Sequence, residues 1–192
     1  MDDRTDERDV ITRAQAGDKG AISDLYKAYS DAIFQYISYR VESSAAAEDL
    51  TGEVFLRMVR GLKAYEDRGL PFGAWLFRIA ANLVNEHYRQ HKQMRLSTLT
   101  DDERSDDTDP FERLAQQEER EQLTKALHAL PAEYQDILIL RFMQNLSHTE
   151  VAAILAKSET AVRALQHRAL KALGEKLGSA DKQRSYHRGK RS

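Results

Sequence analysis

No cysteine occurs in the 192 residues, which excludes disulfides, thiolate zinc sites and cysteine nucleophiles in one step. Long apolar runs are missing too. A stretch such as Ile137-Leu138-Ile139-Leu140 falls far short of the roughly 20 residues a membrane-spanning helix needs. The opening Met-Asp-Asp-Arg-Thr-Asp-Glu-Arg is polar and charged, with nothing of the signal-peptide kind. A cytoplasmic chain without membrane insertion is expected. Also missing are a glycine-rich phosphate loop, histidines paired at metal spacing and a Gly-x-Ser-x-Gly elbow. No enzyme, cofactor or metal is therefore expected. Glu48, Asp49 and Glu53 imitate a metal site on one helix, but with no histidine nearby a solvated or protein-binding face suits them better.

The composition is 41% hydrophobic and 31% charged, enough to bury a core. The net charge of -2 hides segments of opposite sign. Residues 101–109 are strongly acidic, while Lys182 to Arg191 is basic. Such asymmetry suits an acidic connector between modules that meet polyanions.

Three prolines and nine glycines leave few helix breakers, and apolar residues recur at three- and four-residue spacing. That pattern predicts an all-α protein. One stripe follows Asp18 through Ile22, Leu25, Tyr26, Tyr29, Ile33, Ile37 and Val41. After the helix-start pair Ser43-Ser44, a second runs through Ala47, Leu50, Val54, Met58 and Leu62. Gly69-Leu70-Pro71 breaks the pattern, Pro71 suiting a first helical turn. A third stripe follows Trp75, Ile79, Leu83 and His87. These predict a three-helix domain over residues 1–96. Residues 97–110 are too polar to offset chain entropy by burial and read as a flexible acidic linker. Asp109-Pro110 looks like a helix start, and spacing resumes at Phe111, Leu114, Leu123, Leu127 and Leu130. A second helical domain is assigned to 111–178 and a disordered basic tail to 179–192.

The second domain carries the sharper pattern. A helix with Tyr134, Ile137, Leu138 and Phe142 follows Pro131 and ends near Gln144-Asn145. Ser147-His148-Thr149-Glu150 fits a capping box, opening a short helix over Val151–Leu155. A break at Ala156-Lys157 leads to Ser158, a second N-cap, and a helix with Val162, Leu165, Ala169, Leu173 and Leu177 on its apolar face. This is helix-turn-helix spacing. The outward face includes Thr160, Arg163, Gln166, His167 and Lys171. Arginine reads guanine and glutamine reads adenine bidentately, while lysine grips phosphate. An αα-hairpin with charges facing solvent fits the same pattern. In the first domain, Arg78, Arg89, Lys92 and Arg95 are interleaved with Trp75, Phe77, His87 and Tyr88. Cations with aromatics suit a single strand; a core tryptophan beside a solvated basic face suits the residues slightly better.

Taken together, the segments Ala47 to Arg57, Pro71 to Leu83, and Leu130-Pro131 through Arg163 to His167-Arg168-Ala169 resemble the extracytoplasmic-function group of the sigma-70 family. The similarity covers about Ala14 to Leu177, in family order. It implies a factor that binds RNA polymerase core, directs promoter recognition and helps open promoter DNA. Asp49, Leu50, Glu53, Phe55 and Arg57 would dock on the polymerase clamp coiled coil. The loop around Tyr65–Phe72, with Trp75, Arg78, Asn82, Asn85, His87, Tyr88 and Arg89, would engage the minus-ten element as duplex and non-template single strand. Ser158, Thr160, Arg163, Ala164, His167, Arg168 and Lys171 would face the minus-thirty-five element, with the polymerase flap as a further contact. The acidic linker would lie in the RNA channel, and an anti-sigma factor is the implied regulatory partner. Two positions depart from the family pattern: Ala156 stands where glycine is frequent, and Ala164 where a hydrogen-bonding side chain is frequent. The rival from another class is a dimeric helix-turn-helix regulator, which explains residues 131–177 but does not require Ala47–Arg57 or Pro71–Leu83.

Overall fold

The computed structural model describes residues 3–41, 43–95 and 122–188, of which 3–6, 91–95 and 179–188 are described by backbone alone. The acidic linker, the helix start at Asp109-Pro110, and Phe111 and Leu114 lie outside the described residues. So do the side chains of the basic tail. The described residues are helical without strands and fall into two compact units.

The first unit contains α1 (Asp3–Gln15), α2 (Lys19–Ser38), α3 (Ser44–Gly61) and α4 (Phe72–Arg95), with a 3-10 turn over Leu62–Ala64. It has four helices, where sequence periodicity gives three. The missed one, α1, buries only a narrow edge, Ile11 and Ala14, too little for a strong apolar stripe. It packs on α2; α2 and α3 pack together and both pack on α4. The α1–α2 corner is sharp because Gly17 has φ 91°. The Asp18 and Gly17 N–H groups then return to the Arg13 and Ala14 carbonyls at 3.0 Å each, a Schellman ending. Asp18 immediately caps α2, accepting from the Gly20 and Ala21 N–H groups, and Ser43 does the same for α3 from Ala46.

Leu25, Ile33, Ile37, Val54, Met58, Leu76 and Val84 are essentially inaccessible and form the core. Burying each such side chain stabilises by about 1.5–3 kcal/mol relative to exposure. The α4 stripe is turned from expectation. Phe72, Leu76, Phe77, Ala80, Leu83 and Val84 are buried, whereas Trp75 and Ile79 are only half-buried. Among the described residues a single charged side chain enters this core: Arg40, at 0% exposure. Its guanidinium donates to Asn85 Oδ1 at 3.3 Å and lies 5.7 Å from the Tyr88 ring centre. The Tyr88 hydroxyl in turn donates to the Arg40 carbonyl.

The C-terminal half of the chain contains helical residues 122–128 (α5), α6 (Ala132–Leu138), a π turn over Ile139–Met143, α7 (His148–Ile154) and α8 (Glu159–Arg188). Ile137 to Leu140 are all buried. Four consecutive residues span about 300° of an α-helix, more than one apolar face. The chain widens over this run, the Gln144 N–H reaching back to the Ile139 carbonyl. It reverses at Asn145, φ 52°, a residue that tolerates left-handed backbone. The capping box is present: the Ser147 N–H donates to Glu150 at 2.6 Å and the Glu150 N–H to Ser147 Oγ at 3.2 Å. Its helix begins at His148 and ends at Ile154. The α7–α8 corner turns at Ala156, φ 52°, with the Lys157 N–H on the Ala152 carbonyl at 2.9 Å and Ser158 capping α8 through the Ala161 N–H. The backbone of α8 runs on to Arg188, through residues 179–188 of the basic tail.

Candidate nucleic-acid interface

Helical geometry sorts the expected contact residues in α8. At about 100° per residue, Thr160, Arg163, Ala164, His167, Arg168 and Lys171 share an arc of about 140°. All six are exposed, opposite Val162, Leu165 and Ala169, which are buried. Ser158 stays at the helix start as its cap. Arg163 has only a long i,i+4 pairing with Glu159, at 3.7 Å. Ala164 offers this face a methyl group, so it reads no base edge by hydrogen bonding.

Gln166 is the exception on the expected face. Its side-chain carbonyl is engaged by His148 Nε2 at 2.9 Å and Arg141 Nε at 3.2 Å. Bidentate reading of adenine needs that oxygen as well as the amide N–H, so Gln166 is corrected to a brace between α8 and the preceding turns. Thr149 Oγ1 to Glu159 at 2.8 Å and Lys157 to Glu133 at 2.9 Å add two further ties across the motif.

In α4, Trp75, Arg78, Asn82, Asn85 and Arg89 fall within about 80° of one another. Trp75 is half-buried and the other four are exposed. His87 and Tyr88 leave this stripe. His87 continues the core line of Leu76, Ala80 and Leu83 and is half-buried, its ring 6.1 Å from that of Tyr88. Tyr88 is bound to Arg40 by its hydroxyl and its ring face. Both rings are half-buried and support α4 from within the unit. Asn85 remains on the stripe with its carbonyl held by Arg40, which turns its amide N–H groups outward as donors.

An aromatic group anchors the start of this stripe. The Trp75 ring lies 4.9 Å from Tyr65 and 5.3 Å from Phe72, and Tyr65 lies 5.0 Å from Phe72. Gly61 allows the approach, since a Cβ there would stand 3.1 Å from Trp75 Cζ2. Burial, with the nearby Asp67 charge second, raises the Tyr65 phenol above its ordinary value of 10.0. Burial and the contact with Glu7 raise that of Tyr29 further.

The expected polymerase-binding residues of α3 split. Phe55 is 6% exposed, its ring 4.7 Å from that of Tyr26, so it packs at the edge of the core. Leu50 is half-buried. Arg57 pairs with Glu53 at 2.9 Å and with Glu86 at 3.4 Å, which raises its guanidinium above the ordinary value, the Glu53 bond first. The Glu86 pairing ties α3 to α4, while the Glu53 pairing stays within α3. Asp49 is exposed beside Glu48 and Gly52, and sequence reasoning missed two apolar neighbours there, Leu56 at 53% and Val59 at 45% exposure. The available signal was a Leu/Val pair three residues apart, out of phase with the Val54–Met58 stripe.

Among the described residues no group of three or more His, Cys, Asp or Glu is arranged to hold a metal ion, and no helix is long and apolar enough to cross a membrane.

Comparison with known proteins agrees with this two-part layout. Residues 25–94 match the family described as Sigma-70 region 2, and residues 120–173 that described as Sigma-70, region 4. The chain is 39% identical over 176 residues to the ECF RNA polymerase sigma factor BldN of Streptomyces coelicolor, covering 88% of this chain and 65% of BldN. It is 32% identical over 177 residues to the ECF RNA polymerase sigma factor SigD of Mycobacterium tuberculosis, covering 89% of this chain and 84% of SigD. In fold it is similar to CnrH, solved in complex with the cytosolic domain of CnrY, with a TM-score of 0.70 at 23% identity over 90% of this chain and 97% of that one. The fold of RpoE from Bartonella quintana, solved with the anti-sigma factor NepR, is also similar, with a TM-score of 0.66 at 19% identity over 81% and 96%. With matches to both family regions, and SigD aligned over most of its length, the chain belongs to the extracytoplasmic-function sigma factors of RNA polymerase.

Proposed function

We propose that the chain acts by recruitment and has no reaction of its own: it binds core polymerase and places two helical domains, 1–96 and 111–178, on two promoter elements. The observation that carries this is the pair of exposed polar stripes, Arg78/Asn82/Asn85/Arg89 on α4 and Thr160/Arg163/His167/Arg168/Lys171 on α8. Each sits in its own unit, opposite that unit's core. The α4 stripe would meet the minus-ten element, duplex first and then the non-template strand, with the aromatic group at Tyr65, Phe72 and Trp75 beside it. Stacking on aromatic rings is worth about 1–3 kcal/mol per base, enough to offset the few kcal/mol of unstacking one base. The α8 stripe would lie in the major groove at the minus-thirty-five element.

On α3 the docking face for the clamp coiled coil would be Asp49, Leu56 and Val59, flanked by Glu48 and Gly52, with Leu50 and Phe55 shaping it from beneath. The flap would be met by the second domain, and residues 97–110 would supply the acidic connector. An anti-sigma factor would hold the free protein, which would reside in the cytoplasm.

The test is runoff transcription with purified core polymerase on a genomic promoter library, with and without the protein. New transcripts sharing two spaced upstream motifs are expected, together with loss of core binding in Leu56→Asp/Val59→Asp. No transcripts, with no core binding by the unsubstituted chain, would overturn the reading in favour of a dimeric duplex-binding regulator.

A further inference from the structure

The loop between Ala64 and Phe72 carries Tyr65 at one end and leads into the α4 stripe at the other, yet little of its own sequence defines its path. Gly69 sits at φ 80°, and the Asp67 carboxylate caps the Gly69 N–H at 2.8 Å. The firmer restraints come from α1, which contributes no residue to either polar stripe. Gln15 Nε2 donates to the Leu62 carbonyl at 3.0 Å and to the Tyr65 carbonyl at 2.8 Å, holding both ends of the 3-10 turn through one amide. Two turns earlier in the helix, Arg8 Nε reaches Asp67 at 2.8 Å. Glu7 takes the Tyr29 hydroxyl, and the Tyr29 ring lies 5.8 Å from Phe72. A small space of about 10 Å³ between α1 and the loop is lined by Ile11, Tyr65, Leu70 and Phe72 among others, so the two are in close contact without a gap for a ligand.

We propose that Gln15 and Arg8 are positioning residues for minus-ten recognition, α1 holding the 62–72 loop in the shape that presents Tyr65 beside Trp75. This rests on the function proposed above. The geometry distinguishes positioning from mere stabilisation. The Arg8–Asp67 pair is exposed, at 65% and 35% of the two side chains, and such pairs contribute almost nothing to overall stability. The pair ties α1 to the loop, so its removal changes where the loop spends its time and leaves the fold intact. Gln15 is part-buried, and both of its bonds are to backbone carbonyls of the turn that leads into the loop. With the loop released, the Tyr65 ring samples positions away from Trp75, and promoter opening is slowed at the step that needs an ordered aromatic surface.

The experiment uses the full chain with core polymerase on a template library randomised across the upstream promoter segment. It reads runoff yield, the selected bases, core affinity and thermal midpoint. Arg8→Asp and Asp67→Arg are each expected to lower yield about threefold, the scale of one surface ion pair, and to relax base preference near the minus-ten position alone. The double swap Arg8→Asp/Asp67→Arg restores the ion pair, though not the Asp67 cap on the Gly69 N–H, and is expected to give higher yield and sharper preference than either single. Gln15→Met, which keeps volume and removes the donors, is expected to lower yield about tenfold, the scale of two neutral hydrogen bonds. Core affinity and minus-thirty-five preference stay unchanged throughout. Yield and preference equal to the unsubstituted chain in all four variants overturn the proposal, as does a double swap no better than the singles, or a loss that follows core affinity. If the unsubstituted chain itself gives no transcripts while binding no core, the functional reading fails first and the positioning role falls with it.

Discussion

Replacing Ala156 by glycine should stabilise the helix-turn-helix without touching its contacts. Ala156 stands at φ 52°, where an L side chain brings Cβ against the following carbonyl oxygen at a cost of about 1–2 kcal/mol. Glycine removes that cost but gains freedom in the unfolded chain, worth about 0.5–1 kcal/mol against it. Ala156 is exposed, so losing its methyl group gives up almost no burial. The Schellman bond from Lys157 N–H to the Ala152 carbonyl is a backbone bond and survives. The net expectation is about 0.5–1 kcal/mol of stabilisation of the helix-turn-helix. Native-state hydrogen exchange at amides of α6 and α8 should show protection raised about two- to fivefold. Ala156→Val should lower it, since a branched side chain fits left-handed backbone worst. Unchanged or lowered protection in Ala156→Gly would refute the reasoning, because it would mean that the turn does not hold its left-handed residue at a cost.

The remaining predictions concern the first unit and the capping box of α7. Gly73→Ala places a Cβ 2.8 Å from Tyr29 Cε1; overpacking of about 1–3 kcal/mol outweighs about 1 kcal/mol of helix propensity, so Trp75 fluorescence should report an earlier urea midpoint. Gly52→Ala meets nothing within 4 Å and should move the same midpoint the other way by about 1 kcal/mol; shifts in the same direction would contradict the packing account. The Arg13 bond, with the Ala21 and Gly20 N–H groups behind it, holds the Asp18 carboxylate below its ordinary value of 3.8. Its stabilisation is present above that value and lost as pH falls through the lower folded one, so Asp18→Asn should flatten acid unfolding in that window while keeping the cap. Ser147→Ala should cost about 1 kcal/mol, read as reduced exchange protection at the start of α7.

Local signals were legible and tertiary ones were not. The caps at Ser43, Ser147 and Ser158 could be read directly because each needs only neighbours within three residues. The outward face of α8 was legible because one helical period assigns Val162, Leu165 and Ala169 inward and thereby the rest outward. Where a face is set by two packing partners, one residue of phase misleads. Phe55 is core and Leu56 exposed, about 100° apart on the same helix, although the family segment contains both. His87 and Tyr88 have the right chemistry for a nucleic acid, but α4 turns His87 toward the core and Arg40 claims Tyr88. Gln166 has the right position on α8, but His148 and Arg141 occupy its carbonyl. Nothing local marks Arg40 for burial; that requires Asn85 and Tyr88, forty-odd residues away, to supply its partners.

The two stripes also differ in how much order they carry before any partner arrives. On α4, Asn85 is held by Arg40, Trp75 by Tyr65 and Phe72, and the loop beside them by α1. On α8, Arg163 is 62% exposed with one long pairing, and Thr160, His167, Arg168 and Lys171 stand in solvent. Immobilising such side chains costs about 0.5–1.5 kcal/mol each on binding. A preset surface suits the task of capturing a base from an opening duplex, where reorganisation would slow the step. An adaptable one suits a duplex that is already ordered and needs only to be gripped. On that argument, variation in promoter preference between relatives should fall mainly on exposed α8 positions such as Ala164, where a change disturbs no internal bond, and less on the braced residues of α4.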